Sequence, residues 1–455
     1  MLYFGNTLGM PAYSPQNAHD IGTFKKVFTQ FIGRRTISTI VRDSGPARRR
    51  PPRLSAHDLI MGLVFHCLRG GGTMAENILM LTGKRVAKSS LSERLQNLPW
   101  DVFALMMEVA LRPIATRESH PDAFYKDWLL VAIDGTQFSL SNTPQILSSL
   151  TKAASRRMKA AFAKLGAVLL VELGTHNPLA IAIGRDGESE QSLAKRVIKS
   201  LPENSILIAD RLYGVGAFLV LLQEAFAKRA GHFLVRVSSN LKPKLLERFK
   251  DGSILVEIKP SKGQERMVAR EIRGRVRRGN GKWVEVRFWT SLADCKAYPA
   301  KELLALYARR WEQEIVYKQI KVDMRQAELL RSHTVETAAQ EVAALILAHA
   351  IVAQQRMSVA DLSKGEVLRV SFGKTLVMVK SLWMTLAAAR DLLSDEQVAA
   401  VTHNVMRLIA RAAMPPRRKR SCPRAVRQPV GSWPRLTKNT YALGATVYEL
   451  TKIPA

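Results

Sequence analysis

The spacing of apolar and polar residues changes character twice along the chain. Between residues 55 and 100 the apolar positions follow a helical period, and three helices are expected. Each opens on a capping-box pattern: Ser55 with Asp58 before LIMGLVFHCL, Thr73 with Glu76 before NILMLTG, and Ser90 with Glu93 before RLQNL. Their joints at Gly70 to Gly72 and at Gly83 are short, as in a helix-turn-helix module. A small helical packing domain has the same spacing, so the pattern leaves both readings open.

From Trp128 the period shortens. WLLVAID is an apolar run that ends in an acid and is bounded by Gly135, which predicts a buried strand. GAVLLVELGTHNPLAIAIG predicts two strands joined through Thr175, His176, Asn177 and Pro178. An amphipathic helix from Glu190 to Lys199 leads to SILIAD, a second apolar strand ending in an acid. A helix from Gly216 to Arg229 and the strand HFLVRV complete an α/β unit. Residues 239–300 then alternate in short strands (QERMVAREIRGRV, KWVEVRFWTSL) with turns such as Gly279-Asn280-Gly281, a β-rich insertion with a basic polar face. Helix returns at Ala300 and continues, with breaks, to Ala413.

These changes divide the chain into an N-terminal arm and basic linker (1–54), a helical and candidate DNA-binding domain (55–120), and an α/β domain (121–238 and 301–412). The β-rich insertion (239–300) interrupts that domain, and a basic, Pro-rich tail (413–455) follows it. RDSGPARRRPPR, at 42–53, reads as a linker or an arm along a phosphate backbone. The tail PPRRKRSCPRAVRQPVGSWPRL reads as extended on DNA or disordered.

Charge narrows the partner. The 69 Lys and Arg residues outnumber 38 Asp and Glu, giving a net charge of +31 and a pI near 10.4. Such a surplus drives association with a polyanion through counterion release, and nucleic acid is the expected partner. The basic residues form no long amphipathic helix, and the apolar stretch from Ala343 to Ala353 is broken by His349, so no membrane contact is expected. Cys67, Cys295 and Cys422 lie far apart, which argues against a disulfide framework or a structural zinc site. MLYFGNTLGM has no signal-peptide pattern, and a reducing cytoplasm with access to DNA is expected.

Within this basic chain three acids stand out by position: Asp134 and Asp210 at predicted strand ends, and Glu314 inside the helical stretch LYARRWEQEIVYKQIK. Three carboxylates supply hard oxygen ligands for two magnesium ions, which together can drive phosphodiester chemistry. Strand-end aspartates are usually turn or cap residues, so each alone carries little weight. On an α-helical wheel Tyr307, Arg310, Glu314, Lys318 and Lys321 fall on one face, acid among phosphate-binding groups. A solvated surface with one Arg310–Glu314 ion pair fits that wheel equally well.

Tyr307-x2-Arg310-x3-Glu314-x6-Lys321 resembles the Y-R-E-K signature of the insertion-sequence-four family of DDE transposases. VAIDGTQFSL around Asp134 resembles the family's first-aspartate motif, and LIADRLYG around Asp210 resembles the second. The resemblance spans residues 125–360 well and the two ends loosely. It implies a ribonuclease-H-like catalytic domain with a β-rich insertion, preceded by a helical N-terminal DNA-binding domain. It also implies Asp134, Asp210 and Glu314 as catalytic and metal-binding residues. Tyr307, Arg310 and Lys321 would grip DNA, joined by Arg211, with Lys318 on the same face.

The implied cofactor is a pair of magnesium ions, with manganese able to substitute. The implied partners are transposon-end and target double-stranded DNA and a second subunit in a synaptic complex, in the bacterial nucleoid. Cut-and-paste transposition through a hairpin is the implied route. Some family members stack a tryptophan of the insertion on a flipped base. Neither Trp283 nor Trp289 falls in the expected register, and core burial is the better expectation for a strand tryptophan. A metal-dependent nuclease or resolvase on the same fold, and a catalytically inactive DNA-binding regulator, are the alternative functions.

Overall fold

A computed structural model describes residues 22–44, 54–152, 160–227, 229–259, 266–277, 283–325, 328–389, 391–415 and 447–450. Residues 1–21 of the N-terminal arm, residues 45–53 of the linker, the Gly279-Asn280-Gly281 turn and most of the C-terminal tail lie outside the described residues. The helices are α1 (Phe24–Phe31), α2 (Arg34–Ser44), α3 (Ala56–Arg69), α4 (Met74–Thr82), α5 (Lys88–Gln96), α6 (Trp100–Ala110), α7 (Pro144–Ser149), α8 (Glu190–Val197), α9 (Gly216–Ala227), α10 (Ala300–Leu306), α11 (Trp311–Lys318), α12 (Val335–Ser363), α13 (Phe372–Ala388) and α14 (Asp395–Arg411). The strands are β1 (Phe124–Tyr125), β2 (Trp128–Leu140), β3 (Ala163–Glu172), β4 (Asn177–Gly184), β5 (Ser205–Ala209), β6 (His232–Val237), β7 (Lys244–Arg248), β8 (Ile254–Ile258), β9 (Met267–Arg277), β10 (Trp283–Thr290) and β11 (Val447–Leu450).

Among the described residues all eleven strands belong to one sheet, ordered β4-β3-β2-β5-β6-β10-β9-β8-β7, with β1 on β2 and β11 on β9. β2, β3 and β4 are antiparallel neighbours, whereas β2, β5 and β6 run parallel. A three-strand meander whose first strand is central, followed by two parallel strands added on its other side through helices, is the ribonuclease-H-like arrangement. The insertion does not form a separate layer. β10 pairs with β6, so β7 to β10 prolong the catalytic sheet.

Period-two alternation sorts the side chains of the parallel strands. Leu129, Val131 and Ile133 pack toward α8 and α9, while Leu130 and Ala132 join Ile206, Ile208 and α10 on the other face. β2 differs from expectation in one respect: it runs through Asp134 and Gly135 to Leu140, because β3 continues beside it as far as the Leu140–Ala163 pair. Its parallel partner β5 stops at Ala209, paired with Ile133.

The N-terminal helices share one core with α12 to α14, and Phe24 lies 4.8 Å from the ring of Phe65 and 5.1 Å from that of Trp383. Ser55 caps α3, and Thr73 with Glu76 forms a full capping box on α4. Gly70 and Gly83 close these helices in left-handed backbone, with φ of 72° and 71°. The third box is absent: α5 begins at Lys88 behind Ala87, so Ser90 lies inside the first turn. α12, at 29 residues, is long and apolar enough to cross a membrane, but 78% of its apolar window is buried by the surrounding helices. A core helix needs that composition too.

Asp58, in the first turn of α3, is 3% exposed and gathers Lys84 at 3.0 Å, His57 at 3.5 Å and Arg34 at 3.6 Å. The His57 hydrogen bond, then Lys84 and Ser55, hold its carboxyl far below the usual range despite burial. A carboxylate with a depressed folded pKa stabilises above its unfolded value, near 3.9, and loses that contribution as pH falls below it. Asp58→Asn is expected to lower stability by about 2 kcal/mol at neutral pH. In urea unfolding the gap from wild type should close between about pH 4 and pH 2.

Candidate active site

Register and alternation together place the first two acids. Beyond the Ile133–Ala209 pair the next residues are Asp134 on β2 and Asp210 after β5. Both continue the series Leu130, Ala132 and Ile206, Ile208, so both face α10 and α11. Asp210 closes a tight turn in which its Oδ1 accepts from the Leu212 amide at 2.7 Å, leaving Arg211 exposed at the tip.

The third acid arrives on a composite helix. Tyr307–Arg310 is a 3-10 turn, Trp311–Lys318 is α-helical, and Gln319–Met324 is a π-helical turn. The five residues therefore do not share one α-helical face. Arg310 and Glu314 do, with 2.8 Å between Nη2 and Oε1, and the same guanidinium reaches Asp134 Oδ2 at 3.7 Å. Arg310 is only 16% exposed, and Glu314 and Asp134 are each 21% exposed. The ion pair foreseen for a wet surface instead bridges two acids in a cleft.

The remaining predicted residues diverge. Lys321 lies along β2, donating to the Gln137 carbonyl at 2.8 Å, with its ammonium 5.3 Å from the Phe138 ring. Tyr307 is 9% exposed and packs its ring 4.4 Å from Phe288, so it supports the helix from the core and offers little surface to DNA. Lys318, the last residue of α11, pairs with Asp323 at 2.7 Å, five positions on in the π-helical turn. Trp289 is buried, donating to Glu271 at 2.9 Å, whereas Trp283 is exposed beneath the guanidinium of Arg275 at 4.7 Å.

Several site residues escaped the sequence reading. Tyr317 donates to the Asp134 carbonyl at 2.5 Å, and Gln313 donates to Tyr317 and to the Leu169 carbonyl. Glu190 comes from the opposite face of the sheet, held by Tyr213 at 2.7 Å, and fills the space beside Gly135. A Cβ at residue 135 would lie 2.0 Å from the Glu190 carboxyl carbon, which accounts for glycine after Asp134. Lys164 and Arg325 stand with Lys321 around Phe138 and Ser139. The sequence signals for these were weak: one lysine in an apolar strand, one tyrosine after Asp-Arg-Leu.

Asp134 has its carboxyl pushed up to about 7, chiefly by burial; Arg310 opposes this, while Asp210 and Glu190 add to it. Arg310 itself is raised, since Tyr307, Glu314 and Asp134 outweigh its burial. Lys321 is lowered to about 8 by burial, with Arg325 and Lys164 contributing. The acids thus form a pocket of negative charge short of compensation, beside a cluster of cations. Among the described residues no three acidic, His or Cys side chains stand together as a ready metal cage. The donor set nevertheless suits a hard divalent cation that keeps most of its waters and takes one or two carboxylates. The Arg310 guanidinium already stands between Asp134 and Glu314 as a cation would.

Sheet order and acids at its edge define a ribonuclease-H-like catalytic domain. A profile of transposase DDE domains matches residues 128–351. The transposase InsG for insertion sequence element IS4 of Escherichia coli (strain K12) is 24% identical over 419 residues, 90% of this chain and 93% of that protein. A putative transposase of the same strain, InsZ, is 26% identical over 166 residues, 36% of this chain and 54% of that protein. Among solved structures, a piggyBac transposase synaptic complex with hairpin DNA is similar over 86% of this chain and 87% of its own, with 12% identity and a TM-score of 0.46. The profile and the InsG match together support assignment of the chain as a DDE transposase of the insertion-sequence-four type. It is accordingly a DNA-cleaving and strand-transferring enzyme, of a kind that depends on divalent metal.

Proposed function

We propose that this transposase binds the terminal inverted repeats of its element and cuts and joins DNA at the edge formed by Asp134, Asp210 and Glu314. The observation that carries the reading is the convergence of Asp134 and Glu314, 180 residues apart in sequence, on one Arg310 guanidinium, with Asp210 near enough to Asp134 for its charge to raise that carboxyl's pKa. Asp134, Asp210 and Glu314 would hold the two magnesium ions through their carboxylates. Bound there, such ions supply Lewis-acid stabilisation of the entering and leaving oxygens in phosphoryl transfer.

The chain's own groups do the remainder. Arg310 carries a planar, bidentate guanidinium suited to a non-bridging phosphate pair. Lys321, with Lys164 and Arg325, forms a seat for the next phosphate along the strand, and exposed Arg211 meets the backbone from the Asp210 side. Lys318 and Tyr307 contribute through charge and helix support. Hairpin formation followed by strand transfer uses the same edge, since each step is a phosphoryl transfer. Two subunits on two ends, in a bacterial cytoplasm at the nucleoid, complete the proposal. The test is strand nicking on a duplex carrying the inverted repeat that flanks the gene. Cleavage at the repeat end is expected with magnesium or manganese, and binding without cleavage with calcium; cleavage in EDTA, or no preference for the repeat end, would contradict the reading.

A further inference from the structure

α11 is moored from behind by a line of buried polar side chains that takes no part in the acid edge. His349 on α12 lies with Nε2 3.0 Å from Gln319 Oε1, and Gln319 Nε2 lies 2.9 Å from His176 Nδ1. His176 Nε2 in turn lies 2.8 Å from Glu312 Oε2. His176 and His349 are fully buried and Gln319 nearly so.

The hydrogen bonds run in one direction. An amide donates only through nitrogen and accepts only through oxygen. His349 therefore donates to Gln319, Gln319 donates to His176 Nδ1, and His176 donates to the Glu312 carboxylate. Turning the amide over would require a proton on His176 Nδ1 and leave its Nε2 lone pair facing that carboxylate. Arg356 lies 3.5 Å from the same Nδ1 and donates to the Thr175 carbonyl at 2.5 Å.

The local backbone points to the same purpose. His176 sits in the β3–β4 turn at φ 62°, left-handed backbone where glycine or asparagine is easier. Such backbone persists where surrounding contacts over-determine it. Glu312 and Glu314 are two residues apart on an α-helix, so they project about 200° from each other. A helix gripped through Glu312 cannot roll without moving Glu314.

We propose that the His349–Gln319–His176–Glu312 relay positions Glu314, fixing the rotation of α11 on the sheet so that its carboxylate meets Arg310, which reaches Asp134. The proposal rests on Glu314 being the third acid. Its residues are positioning residues, acting through the helix. Gln319 opens the π-helical turn, so the relay also ties down the point where the helix changes pitch.

The experiment pairs repeat-end nicking with magnesium titration, DNA binding and thermal melting. Gln319→Leu and Glu312→Leu are expected to lower the nicking rate by about 10- to 100-fold and raise the magnesium needed for half-maximal rate. DNA binding should stay within about threefold of wild type, since phosphate contacts lie elsewhere. Glu312→Gln, which keeps an acceptor for His176, should recover most of the rate. In the wild-type protein, 15N spectra of labelled histidine should show His176 neutral with its proton on Nε2, a readout independent of any variant's folding. Wild-type nicking and magnesium dependence in both leucine variants, alongside an inactive Glu314→Gln, would overturn the relay and leave the acid edge standing. An active Glu314→Gln would instead remove the acid assignment itself. A His176 proton on Nδ1, or a Glu312→Gln variant as slow as Glu312→Leu, also overturns the relay.

Discussion

Glu314→Gln is expected to abolish strand cleavage while leaving the protein folded. Glutamine matches glutamate in shape, and its carbonyl oxygen can still accept from Arg310, so the 2.8 Å contact has a neutral successor. The pair is mostly buried, but Arg310 keeps Asp134 as a charged partner, so the stability cost should stay at about 1–2 kcal/mol. What the amide lacks is the charge that a hard divalent cation requires of its ligand. Losing one such ligand should remove several kcal/mol of transition-state stabilisation, say about 4, which is about a thousandfold in rate. Asp134→Asn should behave alike, since Asp134 is the acid held against both neighbours. Single-turnover nicking of a repeat-end duplex measures the effect, with melting temperature as the control for folding. A Glu314→Gln rate within tenfold of wild type would remove Glu314 from the acid edge.

The acids' positions were legible in sequence because two periodicities cooperate. A strand's alternation fixes which face Asp134 and Asp210 share, and helical spacing fixes Arg310 one turn from Glu314. β2's extension past Asp134 was not legible, because Gly135 and Thr136 resemble a turn when the β3 partner is unseen. Nor was the change of pitch along Tyr307–Met324, which sends Tyr307 into the core and Lys318 to Asp323. Pitch is set by what the helix must touch, here the carbonyls of Asp134 and Gln137 through Tyr317 and Lys321. The capping rule failed at Ser90 for a similar reason: propensity marked a start, and packing began the helix earlier. Glu190 and His176 escaped altogether, since each acts across the sheet on residues distant in sequence.

Binding to repeat-end DNA should weaken steeply with salt. On the proposed reading, a chain of net charge +31 that brings acids to the scissile phosphate must recover that repulsion from cations elsewhere along the DNA backbone. Lys321, Lys164 and Arg325 form one such group next to the acids, and Arg211 stands on the other side. If these and the basic strands of the insertion together neutralise about 6–10 phosphates, affinity should drop by about 10³- to 10⁵-fold between 50 and 200 mM salt. Removing a single contributor has a defined signature: Lys321→Ala should reduce the slope of log affinity against log salt by about one and weaken all sequences alike. Burial already lowers the Lys321 pKa to about 8, so its proton is retained below that value and lost as pH rises through it. The Lys321 contribution to the slope should therefore be complete near pH 6.5 and fade by about pH 9. Fluorescence anisotropy across salt and pH measures both effects. A flat response between about 50 and 200 mM would mean that phosphate contacts do not carry the affinity, and the cation cluster around Phe138 would lose its assigned role.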